Sequence, residues 1–151
     1  MSSSVFVDTN VFLRFVLADH ALHSPQARAF FGALERGEFR AWTTHVAVSE
    51  LIWVLTGPQK RIPRRDVANA LTPFLTWPNL EIPEAEVLAN AIEIFVDRRI
   101  DWVDAYHAAA AMARDDSPVV SFDTDYDGVP GITRIAPADV AEGGEMRRRE
   151  G

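Results

Sequence analysis

The 151-residue sequence contains no cysteine. Disulfides and thiolate metal sites are therefore excluded, a composition that suits a reducing cytoplasm. It also lacks the His-Glu-x-x-His spacing of helical zinc enzymes. His20 and His23 fall in an expected loop and His45 at a helix start. The first residues, Met1-Ser2-Ser3-Ser4, show no basic region leading into an apolar stretch, so they do not read as a signal peptide. The apolar stretch from residue 11 to 18 is interrupted by Arg14 and is too short to span a bilayer. Positive charge is in deficit as well. At a formal net charge of −7, bulk electrostatics does not hold nucleic acid. Binding RNA or DNA would need local basic patches or a bound cation.

What remains is the composition of one globular domain. At 48% hydrophobic and 25% charged, the chain can bury a core, and it shows no internal repeat or domain boundary. Its organising stretch is Val5-Phe6-Val7-Asp8-Thr9-Asn10. Three β-favouring residues run into an acid, a hydroxyl and an amide. Val11, Phe12, Phe15 and Val16 then keep helical spacing. This reads as a buried strand ending in Asp8 and turning into a helix.

The same alternation continues along the chain. Ser24-Pro25 marks a helix start, followed by Ala27, Phe30, Phe31 and Leu34 at helical spacing. Phe39–Thr43 reads as a strand, and Thr44 as the cap of a helix bearing Val48, Leu51, Ile52 and Leu55. A helix is expected from Pro63 to Thr72, a strand at Leu80–Ile82, and helices after Pro83 and from Asp101 to Ala113. Pro118–Phe122 reads as a second buried strand and Ile132–Ile135 as the last. Strands alternating with helices predict an α/β fold with a central, mostly parallel sheet between helical layers. Residues 1–137 form the expected domain. The charged stretch 138–151, with Arg147-Arg148-Arg149, reads as a disordered tail.

Acids recur where strands end. Val5–Val7 runs into Asp8, and Val119–Phe122 into Asp123, with Asp125 two residues on. In one parallel sheet those ends share the edge where ligands bind. Asp104 falls in the first turn of its helix, and Glu50 about one turn into another. Convergence of such acids has a consequence: two unit charges about 4 Å apart repel by about 4 kcal/mol at an effective dielectric near 20. Either some are protonated or a cation lies among them. Oxygen-only ligands favour Mg²⁺ or Mn²⁺ over zinc, and a hard cation on an acidic rim suits phosphodiester cleavage.

Each acid has a plainer alternative. Asp8 and Asn10 are good helix caps, Glu50 and Asp104 are ordinary helix residues, and Asp123 and Asp125 are turn formers. Thr9 and Ser121 are either strand-end hydroxyls or groups that orient a carboxylate. The basic stretch Lys60, Arg61, Arg64 and Arg65, with Arg98 and Arg99, offers phosphate contacts or a solvated face. His107, one turn after Asp104, reads as structural or supporting, and Trp42, Trp53, Trp77 and Trp102 as core or oligomer-interface residues.

Four segments in order resemble the PIN domain, and more narrowly the VapC-type toxins of bacterial type II toxin–antitoxin systems. They are Val5–Asn10, Ser49-Glu50-Leu51, Asp104–Ala110 and Ser121–Tyr126. The resemblance extends from about Val5 to Pro137. It implies a three-layer α/β/α fold and a ribonuclease that uses Mg²⁺ or Mn²⁺. Asp8, Glu50, Asp104 and Asp123 would be the metal-binding and catalytic acids, and Asp125 an auxiliary. Thr9 and Ser121 would match the small hydroxyl positions. A homodimer and a cognate antitoxin partner are likewise implied. Two rival readings are an aspartyl phosphatase and a catalytically silent PIN-fold module acting through antitoxin and DNA binding. Asn10 stands where a dehalogenase-type phosphatase needs its second aspartate.

Overall fold

The structure, a computed structural model, describes residues 4–143. In chain order the elements are β1 (Ser4–Phe6), α1 (Thr9–Leu17), α2 (His23–Glu35), β2 (Arg40–Trp42), α3 (His45–Thr56) and α4 (Arg64–Leu71). After a 3₁₀ turn at Thr72–Thr76 come β3 (Leu80–Glu81), α5 (Ala85–Asp97), α6 (Trp102–Ala113) and β4 (Val119–Val120). A second 3₁₀ turn, Thr124–Gly128, precedes β5 (Arg134–Ile135) and α7 (Pro137–Gly143). Every strand pairing is parallel, and the strands alternate with helices in a three-layer α/β/α arrangement.

The sheet is hydrogen-bonded as two ladders. One runs β1-β2-β3, with Val5 beside Ala41 and Ala41 beside Leu80; the other pairs β4 with β5, placing Val119 beside Arg134. β1 and β4 therefore each bond on one side only. This corrects the expectation of two buried strands. Val7 is buried, but Val5, Phe6, Val120 and Phe122 are exposed, Phe122 at 86%. Phe6 instead packs on Trp42 across the ladder, ring centroids 4.9 Å apart.

The core is built from two kinds of contact. On one side Phe12, Phe31 and Phe74 pack edge and face with centroids 5.0–5.2 Å apart, with Phe15 and Trp77 around them. On the other, α5 lies against α6 through Leu88, Ala91 and Ile92 facing Ala105, Ala108 and Ala109, all 2% exposed or less. The alanine run lets the helices approach closely. Arg64 braces α4 against the α5–α6 connection. Its Nη1 donates to the carbonyls of Phe95 (2.8 Å), Arg98 (3.1 Å) and Ile100 (2.8 Å), and the guanidinium lies 3.9 Å from the Phe95 ring centroid. The start of α6 is tied to α3 by the buried Trp102 indole, which donates to Ser49 Oγ at 2.8 Å. The tail expected from residue 138 begins instead with the helix α7; residues from Gly144 onward, including the three arginines, lie outside the described residues.

Candidate metal centre

Two helix starts and one turn carry the acids. Asp101 precedes α6 in extended conformation, and Asp104 follows in the first turn, where the helix end favours negative charge. After β4, Ser121 Oγ accepts from the Asp123 backbone N–H at 2.9 Å. Asp123 Oδ1 accepts from the Asp125 N–H at 2.9 Å, a side-chain turn that sets the 3₁₀ segment. Arg134 fixes the same strand end. Its Nη1 donates to Ser121 O at 3.1 Å, and its Nε and Nη2 hold both carboxylate oxygens of Asp127.

This folding brings Asp104, Asp123 and Asp125 together. One carboxylate oxygen of each lies within 4.8 Å of the others, the one such three-acid group among the described residues. Tyr126, buried beneath them, donates its hydroxyl to Asp104 Oδ1 at 3.1 Å, and His107 Nδ1 lies 3.3 Å from that hydroxyl. With the phenolic proton directed at Asp104, His107 must donate through Nδ1–H. Tyr126 was not among the residues expected at the site. The signal for it was its place one residue after Asp125, at a turn that had to fold back on Asp104.

The electrostatics agree with the geometry. Burial raises the Asp104 carboxyl above the ordinary aspartate value, and the nearby Asp123 and Asp101 raise it further; the Tyr126 hydrogen bond and His107 act in the opposite direction. Burial, with the negative charge of Asp104 and Asp123, pushes the Tyr126 phenol up to about 12, so it stays a donor at neutral pH. Three carboxylates this close, one of them reluctant to ionise, form a donor set of oxygens only. That fits a hard divalent cation.

A model of the PIN domain matches residues 5–132 of the chain. The chain belongs to the PIN domain family. No curated protein matches it significantly. Among solved structures, it is similar to Mycobacterium tuberculosis VapC20, a Sarcin-Ricin loop cleaving toxin. That similarity is at 20% identity, over 85% of this chain and 98% of that one, with a TM-score of 0.37.

In this PIN domain Asp8 and Glu50 are not members of the three-acid group whose oxygens lie within 4.8 Å of one another. Asp8 is exposed and stands at the N-cap of α1, as the plainer reading had it, but its side chain makes no capping bond. The adjacent Thr9 is buried and donates to Glu50 Oε1 at 3.2 Å. Glu50 is thus tied to the residue that follows Asp8. The separate β4–β5 ladder does not align Asp8 with Asp123 along one hydrogen-bonded edge. The bridge is α6, whose start carries Asp104 and is pinned through Trp102 to the residue before Glu50.

Asn10 lines a different cleft, between α1 and α2, with Phe6, Arg14, His23 and Phe30. Among the basic residues, Arg64 is corrected from phosphate contact to brace, because its Nη1 is committed to three carbonyls. Arg65 pairs with Glu93 and Asp97 at 3.5 Å each. Lys60 and Arg61 are exposed, and Arg61 lines the cavity that opens beside Asp104.

Proposed function

We propose that this PIN domain is a metal-dependent endoribonuclease, the toxin of a type II toxin–antitoxin pair, hydrolysing RNA phosphodiester bonds. The observation that carries the reading is the gathering of Asp104, Asp123 and Asp125 over Tyr126, in a chain of this family. Those three acids would hold Mg²⁺ or Mn²⁺, which supplies charge neutralisation and water activation when bound. Asp8 and Glu50 would complete the acidic rim from the other side. The Tyr126 hydroxyl keeps the Asp104 carboxylate turned toward Asp123. Ser121 and Arg134 hold the strand end from which Asp123 and Asp125 extend. Lys60 and Arg61 would receive RNA phosphates, and a cognate antitoxin and a second copy of the chain are the expected protein partners. Among the described residues no helix is long and apolar enough to cross a membrane.

The test is cleavage of total RNA with Mg²⁺ or Mn²⁺, with EDTA as control. Asp8→Ala, Glu50→Ala and Asp104→Ala should each abolish it. Cleavage that survives Asp8→Ala and Asp104→Ala, or persists in excess EDTA, sinks the assignment.

A further inference from the structure

A cavity of about 600 Å³ opens between α3, α4 and α6, and Asp104 stands on its wall. That volume lies within the range of small-ligand sites. Its lining divides into a floor and three free groups. Trp102 and Phe95 are buried and form the floor, with the Arg64 guanidinium fixed against Phe95. Trp53 stands on the cavity lining with 56% of its surface exposed, and its indole N–H makes no hydrogen bond among the described residues. Asp101 is exposed at the N-cap of α6 and, like Asp8, makes no capping bond. Arg61 is held in a left-handed backbone conformation, φ 50°, by its N–H to Gly57 O at 2.8 Å and its Nε to Pro58 O at 3.0 Å. Its Nη groups have no partner among the described residues.

We propose that this cavity is a nucleobase subsite selective for guanine, seating the base next to the phosphate brought to Asp104. The inference rests on the ribonuclease reading above and names the base that site would prefer. An exposed indole on an open cavity is a stacking wall of the kind that holds single-stranded bases. A carboxylate accepts from adjacent N–H donors, and guanine presents two, N1–H and the 2-amino group. Adenine presents a lone pair at N1, which a carboxylate repels. An arginine with free Nη donors matches guanine O6 and N7, the acceptor pair that arginine most often reads. Asp101 and Arg61, which line the cavity together with Asp104, would read different edges of one base.

Two measurements test this. The first needs no cleavage: titration of the protein with 5′-GMP, 5′-AMP and 5′-IMP, followed by tryptophan fluorescence. GMP should bind about 10-fold or more tightly than AMP, with IMP between them because it keeps N1–H and lacks the 2-amino group. Trp53→Phe should shrink the fluorescence change while calorimetry shows binding retained, and Asp101→Asn should narrow the GMP–AMP difference to what Arg61 reads at O6 and N7. Equal affinity for GMP and AMP overturns the subsite, whatever the RNA results. The second uses short RNAs carrying a single guanosine or adenosine. Guanosine should direct the cut, and Trp53→Ala should raise KM about 10-fold with a smaller effect on kcat. If Trp53→Ala instead halves the sedimenting mass and leaves base preference intact, Trp53 belongs to a subunit interface and the subsite is refuted. Loss of RNA cleavage by the parent protein with GMP selectivity intact would strike the nuclease reading and spare the subsite.

Discussion

Two partly buried charged groups face the same cavity, and their surroundings are opposite. Arg64 has partners fixed around it: three carbonyl oxygens, the face of Phe95 and the charge of Asp101, although burial still lowers its pKa from the ordinary arginine value. Asp104 has one hydroxyl partner, two acids within reach and Asp101 nearby, and its carboxyl is raised by burial first and by those charges next. A charge held by partners fixed within its own chain serves the fold. A charge left beside others of its own sign is held there by the fold at a cost, and that marks a place for something from outside.

Four experiments would break or sharpen this contrast. The largest effect is expected at Asp104. Asp104→Asn should lower RNA cleavage by about 10³-fold or more. It should also raise the melting temperature in EDTA by roughly 1–3 °C, because the amide removes a repelled charge. The pH dependence follows in sign. A raised aspartate binds more protons folded than unfolded, so metal-free protein loses stability as pH climbs from 3.8 through the raised value. That loss should vanish in Asp104→Asn and in saturating Mg²⁺. Asp127, lowered by its hydrogen bond to Arg134, acts in reverse, losing its contribution on acidification. An unchanged melting profile in Asp104→Asn would show that the acid is not under strain.

Next is Arg64→Ala, which strands three carbonyls and should cost about 2–3 kcal/mol, or roughly 5–10 °C in chemical and thermal unfolding. If the variant unfolds like the parent, the brace is illusory. Tyr126→Phe should weaken Mg²⁺ binding in calorimetry about 10-fold, through loss of the bond that aims Asp104. An unaltered isotherm would remove Tyr126 from the site. The smallest effect belongs to Arg65→Ala. Its two exposed pairs at 3.5 Å should be worth no more than about 0.5 kcal/mol in urea unfolding.

Much of this was legible in the residues. Helical spacing located α1, α2, α3, α5 and α6 within a few residues of their ends, because each carries a regular apolar stripe and a recognisable start. Thr44 does cap α3, accepting from Ala47 N–H at 3.2 Å. The strands were legible as to place but not as to burial. A run such as Pro118–Phe122 has the same composition whether a neighbour covers it or not, and pairing partners lie far away in sequence. The acids were legible as types, and Asp104, Asp123 and Asp125 do converge. Which acids come within 4.8 Å of one another depends on tertiary packing, which no local spacing encodes. The role of Arg64 was hidden for a related reason: a basic run displays its charge, whereas the carbonyls that engage it lie 31 to 36 residues on.

The indole-to-hydroxyl clip between Trp102 and Ser49 has a practical corollary. It joins the two helices bearing Glu50 and Asp104 with neutral atoms, so neither chelator nor ionic strength can loosen it. Protein stripped with EDTA should keep α3 and α6 docked and take up added Mg²⁺ without a slow folding phase, at a rate set by the ion's own loss of water. The scaffold is set before its guest arrives.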